Sequence, residues 1–258
     1  MQQLEGKVAL VTGASKGMGR QFVAALVEAG MQVVCLARPS PEFDTLTDEF
    51  GSAVKSIACD VADPTAVTTA LEQGVSAFGR LDVLVNNAAI YHPFAFEHGS
   101  DALIRQHVEV NVLGVAWAIR AAIPHLRRTR GQIVTISSES VRLPFPMLAL
   151  YAATKAAVET LSEGLREELR SEGIRLTVLR SGSVSGSSGG DGWSDETRQA
   201  FFGKIVETGH AAMSGTPASP RSMAQGLVAV LALPHDVSVD LVELRAAEPG
   251  LPDGARQI

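Results

Sequence analysis

The chain reads as an α/β protein with a parallel sheet of about seven strands and helices on both faces, and three observations carry that reading. Short β-branched runs alternate along the 258 residues with longer segments of helical spacing, which implies βαβ units. The runs are apolar almost without interruption rather than at every second position, the mark of strands buried on both sides. Glycines crowd the turn between the first strand and the first helix, where such folds need a tight reversal.

In chain order, the first run is KVALVT (7–12), followed by helical spacing over 18–29. QVVCLA (32–37) and VKSIAC (54–59) supply the second and third strands, and 64–78 returns to a helical period. DVLVNN (82–87) leads into a long helical segment at 102–128, and QIVTIS (132–137) into another at 151–172. RLTVLR (175–180), a helical stretch at 219–233 and VDLVEL (239–244) complete the series. No repeat, heptad or linker interrupts it, so residues 1–258 are expected to form one doubly wound domain. The one compositional break is SGSVSGSSGGDG (181–192), a Gly/Ser-rich stretch of loop character.

Composition narrows the classes of function. A formal net charge of −6 without basic runs argues against nucleic acid or an anionic membrane surface. The pairs Arg127-Arg128 and Lys7 with Arg20 are too short to make a patch. No apolar stretch reaches the roughly 18 residues of a membrane span. MQQLEGKVALVTGAS offers only a short apolar run before Thr12 and Gly13, which is no signal peptide. Cys35 and Cys59 lie in strand-like runs and read as buried small hydrophobes of a reduced, cytoplasmic protein. No metal ligand set is assigned.

TGASKGMGR (12–20) follows the first strand and opens the first helix. Gly13, Gly17 and Gly19 permit a tight turn and a close backbone approach to a pyrophosphate, with Ser15, Lys16 and Met18 between them. The helix N-terminus then offers free N–H groups to the phosphates. The spacing is G-x-x-x-G-x-G rather than G-x-G-x-x-G, and its place between strand and helix makes it a dinucleotide loop. The second strand should end in the residue that reads the adenosine ribose. Here it ends CLARPS, with Arg38 and no acid before Glu42. A planar fork of donors suits a 2′-phosphate, and Lys16 lies within reach of the same group, so NADP(H) is favoured over NAD(H).

Taken together, these motifs and those downstream resemble the short-chain dehydrogenase/reductase family over about residues 5 to 185, a Rossmann-type fold. TGASKGMG resembles its cofactor loop. CDV (59–61) resembles the segment where Asp60 holds the adenine amino group beside Val61, and NNAA (86–89) the N-N-A-G stretch, with Asn87 and Ala88 beside the cofactor. VNVLG (110–114) places Asn111 at the family's helix asparagine, and ISSES…YAATK matches S-x(12)-Y-x-x-x-K with Ser138, Tyr151 and Lys155. Ser137 is the rival serine; side chains alternate along a strand, so it should point the other way.

The resemblance implies a mechanism. Tyr151 exchanges a proton with the substrate oxygen, Ser138 holds the carbonyl, and Lys155 depresses the phenol pKa and bonds the nicotinamide ribose. Asn111 holds a water that links Lys155 to solvent. Physically, a free phenol has a pKa of about 10, and a cation one helical turn away favours the phenolate. Tyr151 and Lys155 would then share one exposed helix edge.

Several positions depart from the family pattern. Ser181 stands where the family has a proline before Gly182, and Gly186 where a threonine often stands. Gly182 and the backbone of Val184 can still fit the nicotinamide, with Ser185, Ser187 and Ser188 as substitute anchors. Ala89 replaces a glycine, and AAEPGLPDGARQI offers only Asp253-Gly254 in place of a D-G-G ending.

Ligands of this fold bind beyond the carboxyl ends of the strands, so 186–216 is expected to be a substrate lid. Trp193, Phe201, Phe202 and Met213 are candidate wall residues there, facing Tyr91, His92, Phe94 and Phe96. The substrate class is a ketone or aldehyde and its alcohol, small to medium in size and partly apolar. The Ala- and Val-rich helices suggest a homotetramer or homodimer. The competing reading is a non-catalytic NADP(H) sensor or scaffold, which intact Ser138, Tyr151 and Lys155 disfavour. Dehydration or epimerisation would need a further acid or base.

Overall fold

The structure, a computed structural model, describes residues 3–186, 192–210, 213 and 215–248. The expected Ser187, Ser188 and Asp253-Gly254 lie outside the described residues. Seven strands form one sheet: β1 (Val8–Thr12), β2 (Gln32–Ala37), β3 (Val54–Ala58), β4 (Val83–Asn86), β5 (Gln132–Ser138), β6 (Arg175–Ser181) and β7 (Leu241–Leu244). Their order is β3-β2-β1-β4-β5-β6-β7, and every neighbouring pair is parallel. The expected parallel α/β sheet is therefore what forms. The order reverses between β1 and β4, and a ligand crevice opens at such a switch point.

Successive strand residues enter two different cores. Ala9, Val11, Val33, Cys35, Val83, Val85, Val134 and Ile136 pack on one face, and Val8, Leu10, Val34, Leu36, Leu84 and Ile133 on the other. A side chain on each face at every step is why the strands read as continuous apolar runs. Cys35 and Cys59 belong to opposite cores and are free thiols. Burial pushes them up to about 12 and about 11, so both stay protonated.

Helices α1 (Gly17–Glu28), α2 (Pro41–Asp44), α3 (Leu46–Phe50) and α4 (Pro64–Phe78) serve the first half of the sheet. α4 shows how locally its limits are written. Asp63 Oδ1 accepts from Thr65 N at 2.8 Å and Ala66 N at 3.1 Å, Pro64 occupies the first turn, and Gly79 closes the helix at φ +77°. The short α2 and α3 had no counterpart in the sequence pattern; Ser40 caps α2 by accepting from Phe43 N. In the second half come α5 (Asp101–Val108), α6 (Gly114–Thr129), α7 (Ala149–Leu169), α8 (Asp195–Glu207) and α9 (Pro220–Leu231). α1 packs on α9 over one face, and α4 on α6 over the other, where α7 lies against β5 and β6.

The expected continuous helix at 102–128 is interrupted by a π-helical turn, Glu109–Leu113. Its cause is a side chain: the fully buried Asn111 clasps Ile90, accepting from its N–H at 2.8 Å and donating to its carbonyl at 2.9 Å. A π turn accommodates such a tether by inserting a residue. β6 also runs to Ser181, which pairs with Ser138 and Leu244.

At the opposite end of the strands, buried Asp82 ties three of them together. Its Oδ2 accepts from Val8 N at 2.9 Å and Arg80 Nε at 2.8 Å, and its backbone carbonyl accepts from Gln132 N at 2.8 Å. Asp82→Ala strands the Val8 amide, and urea unfolding should show a loss of about 1–3 kcal/mol without change in the site at the other end of the sheet.

Candidate active site

A cleft of about 1560 Å³ runs along the carboxyl ends of the strands. One small ligand typically fills a pocket of roughly 300–1,000 Å³, so this cleft has room for a dinucleotide and a second molecule. Gly13, Ser15, Lys16, Met18, Gly19, Arg38, Asp60, Val61, Asn87 and Ala88 line one part of it. Ser138, Tyr151, Lys155, Gly182 and Val184 line the rest. Of the catalytic and cofactor-binding residues expected from the sequence, Gly17 and Asn111 are not on its wall, and neither is the substitute anchor Ser185.

The glycine loop is shaped by close approaches. Gly13 and Gly17 have φ of +66° and +54°, left-handed values that favour glycine. A Cβ on Gly19 would stand 2.0 Å from the Gly13 carbonyl oxygen, and one on Gly13 would stand 2.9 Å from Ala88 Cα. Asn87 locks the loop by donating through Nδ2 to Thr12 O at 2.9 Å and Gly13 O at 3.1 Å. Thr12 Oγ1 accepts from the N–H groups of Asn87 and Ala88, both at 3.0 Å. The result is a closely packed, hydrogen-bonded glycine cradle at the N-terminus of α1, and it fits a pyrophosphate.

Arg38 and Lys16 are exposed at the lip of the cradle. The carboxylate of Asp60 accepts from Ala62 N at 3.0 Å and shapes the turn after β3. Arg20, absent from the sequence reading of the site, braces this rim by donating to Ser15 O, Glu42 O and Thr45 Oγ1. Ser181 Oγ lies 3.7 Å from Met18 Sδ and donates to Gly182 O, so the serine that replaces proline also touches the loop.

At the other end of the cleft, strand alternation separates the two serines. Ser137 is buried and donates to Glu159 Oε1 at 2.5 Å. Ser138 faces the cleft and hydrogen-bonds the Tyr151 phenol. Lys155 is buried, at 4% exposure, and donates to Ile136 O at 2.9 Å, with Nζ 5.7 Å from the centre of the Tyr151 ring. The expected exposed helix edge is thus largely covered, with Lys155 buried and Tyr151 half-buried.

Burial also corrects the expected acidity. Loss of solvation pushes the Tyr151 phenol up to about 12, with the Ser138 bond acting in the opposite direction. It brings the Lys155 ammonium down to about 8, opposed by the charge of Glu159. Desolvation outweighs any lowering of the phenol by the lysine, so the net shift of Tyr151 is upward.

Asn111 stands behind the cleft rather than in it. Its amide is taken up by Ile90 and by Thr154 Oγ1, to which Nδ2 donates at 3.1 Å. Thr154 in turn donates to Tyr151 O, so Asn111 reaches the site by bracing α7.

Over Tyr151 lies an aromatic cluster. Tyr91 packs on its ring with centroids 5.3 Å apart, Trp193 on Tyr91 at 4.9 Å, and Phe201 against Trp193 at 5.4 Å. Trp193 Nε1 donates to Tyr91 O at 3.1 Å and fixes the segment before α8 over the cleft. Phe202 and His92 join the wall, with Phe145, Leu148 and Ile205 that the sequence did not single out. Phe94, Phe96 and Met213 do not: Phe94 packs on His107, and Phe96 and Met213 are exposed.

The family model described as short chain dehydrogenase matches residues 7–196. An uncharacterized oxidoreductase of Methylorubrum extorquens is 39% identical over 189 residues, 71% of this chain and 75% of the relative. Among solved structures, an alcohol dehydrogenase of Thermococcus sibiricus complexed with 5-hydroxy-NADP is 27% identical, with a TM-score of 0.79 over 93% of this chain and 97% of that one. A 3-ketoacyl-(acyl-carrier-protein) reductase of Brucella melitensis complexed with NADH is 26% identical, with a TM-score of 0.82 over the same shares.

A buried ammonium opposes folding. Below pH 8 Lys155 is charged in both states and its desolvation cost is felt in full. Between 8 and 10.5 only the unfolded chain keeps the proton, so stability rises with pH, and above 10.5 the cost is gone. Lys155→Met should therefore be about 1–2 kcal/mol more stable than the parent at pH 7, with the gap closing between pH 8 and 10.5 in urea titrations.

Proposed function

The chain belongs to the short-chain dehydrogenase family, and from that premise we propose that it is an NADP(H)-dependent oxidoreductase interconverting a ketone or aldehyde with its alcohol. The family's chemistry is hydride exchange between a nicotinamide and a CH–OH or C=O group. One observation carries the reading: Ser138, Tyr151 and Lys155 meet in the same cleft that the glycine loop lines.

The glycine loop with Ser15, Lys16 and Met18 would hold the pyrophosphate, and Asp60, Val61, Asn87 and Ala88 the adenosine side. Arg38 and Lys16 would take the 2′-phosphate. Lys155, Gly182 and Val184 would face the nicotinamide end. When bound, the nicotinamide supplies or accepts the hydride; the protein supplies position and the proton.

A phenol pushed up to about 12 keeps its proton at neutral pH, which suits Tyr151 as the acid in carbonyl reduction. As negative charge grows on the substrate oxygen, Tyr151 transfers its proton and the Ser138 hydroxyl donates a hydrogen bond to the same atom. The phenolate left behind forms beside an ammonium held in a site from which water is largely excluded, where attraction between charges is strongest. Tyr91, Trp193, Phe201 and Phe202 then favour a carbonyl with an apolar flank.

The test is NADPH oxidation across a panel of ketones and aldehydes. Tyr151→Phe should lower kcat about 100-fold or more while NADPH binding, read by nucleotide fluorescence, is kept. Turnover persisting in that variant removes the mechanism; NADPH binding with no turnover on any carbonyl favours a sensor. Separately, Arg38→Asp should reduce the NADPH-to-NADH preference in kcat/KM by about tenfold or more, and an unchanged ratio would make Arg38 a bystander.

A further inference from the structure

Behind the cleft, α7 continues the line of Tyr151 and Lys155 with Glu159, one turn further on and buried. Arg180 on β6 grips it with both ends of its guanidinium, Nε to Oε1 at 3.0 Å and Nη2 to Oε2 at 2.6 Å. Ser137 donates to the same carboxylate. Arg180 Nη1 also meets Glu243 Oε2 on β7 at 3.1 Å, and Arg142 meets that oxygen at 3.1 Å from the solvent side. Two strands, β5 and β6, thus converge on a carboxylate that the proposed proton transfer itself does not use.

We infer that Glu159 and Arg180 are a mutually offsetting pair of positioning residues: Arg180 engages the carboxylate so that it does not draw the buried Lys155 from Ile136 O, which keeps Nζ aimed at the cleft. Glu159 is the opposite charge on the lysine's own helix, and it favours the ammonium. Left alone, a carboxylate one turn away would draw Nζ into a direct ion pair and away from Ile136 O. Arg180 and Ser137 prevent this by occupying its oxygens. Arg180, being a cation, also opposes the carboxylate's field at the ammonium.

The other groups packed around α7 do not replace the pair. Tyr151 stands on the helix itself and stays neutral below about 12. Glu139, at the end of β5, is paired with Arg245 at 3.3 Å. Glu243 on β7 is shared by Arg180 and Arg142. From α5 and the π turn come His107, whose ring bonds Leu103 O and His92 N, and the exposed Glu109. Arg170 and Glu172 lie beyond the far end of α7.

The sign of each single substitution separates this role from simple support of the fold. Lysine side-chain NMR on cofactor-free protein reads the Lys155 titration directly, since the chain has only five lysines and Lys155→Met identifies the signal. Glu159→Gln leaves Arg180 unbalanced and should lower the Lys155 midpoint by about one pH unit. Arg180→Gln leaves Glu159 unopposed and should raise it by about as much. The double variant should return within a few tenths of the parent.

Both single variants shifting the same way, or neither shifting while circular dichroism shows a native fold, overturns the inference. Should Glu159→Gln fail to fold, the sign of the Arg180→Gln shift decides alone. The importance of Lys155 rests on the proposed function, but the titration needs no turnover, so the two can fail separately. In active enzyme, the pH limb of kcat should move with the NMR midpoint.

Discussion

Everything at the catalytic end of the cleft turns on one ammonium taken out of water. A lysine is almost never fully buried unless paired, and Lys155 is at 4% exposure. Isolated, such a group sheds its proton. The chain offers it the carbonyl of Ile136 and the nearby charge of Glu159, itself fixed by Arg180 and Ser137. These groups come from three elements: β5, α7 and β6. The parallel sheet beside α7 is therefore what gives the lysine its properties, and the fold and the chemistry are linked through this one residue.

The fold was legible because its signals are local. Each strand shows as an apolar run, since residues alternate between two buried faces. Helix limits such as Asp63-Pro64 and Gly79 are fixed by residues within a few positions of the ends. The glycine loop was legible for a related reason: Gly13 and Gly19 stand where a Cβ would collide with the loop's own backbone or with Ala88. The π turn was not, because its cause lies 21 residues away, in the pairing of Asn111 with the backbone of Ile90. No periodicity can show that.

The site divides along the same line. Ser138, Tyr151 and Lys155 were readable as a spaced motif, and alternation along β5 separates Ser138 from Ser137. Their environment was not readable. Spacing puts a phenol and an ammonium one turn apart but does not say whether that edge meets water or protein, and here it meets protein. The expected lowering of the phenol by the lysine left out desolvation of the phenol itself, which sets the net direction. Glu159 extended the stripe of Tyr151 and Lys155 at the same spacing, so a signal was present; its meaning depended on Arg180, 21 residues on.

Burial that raises the phenol pKa looks at first like a defect in an acid–base residue. For an acid it is a defect only if the product anion stays unstabilised. Tyr91 packs on the Tyr151 ring with Trp193 and Phe201 beyond it, and this partial covering penalises a phenolate. The same covering strengthens every charge that remains nearby. A phenolate formed beside Lys155 therefore gains more from the ammonium than it would in solvent, provided the ammonium keeps its proton. A covered phenol and a charged lysine are useful only together. In the proposed proton transfer, the residues that hold Lys155 from behind would then matter as much as those facing the substrate.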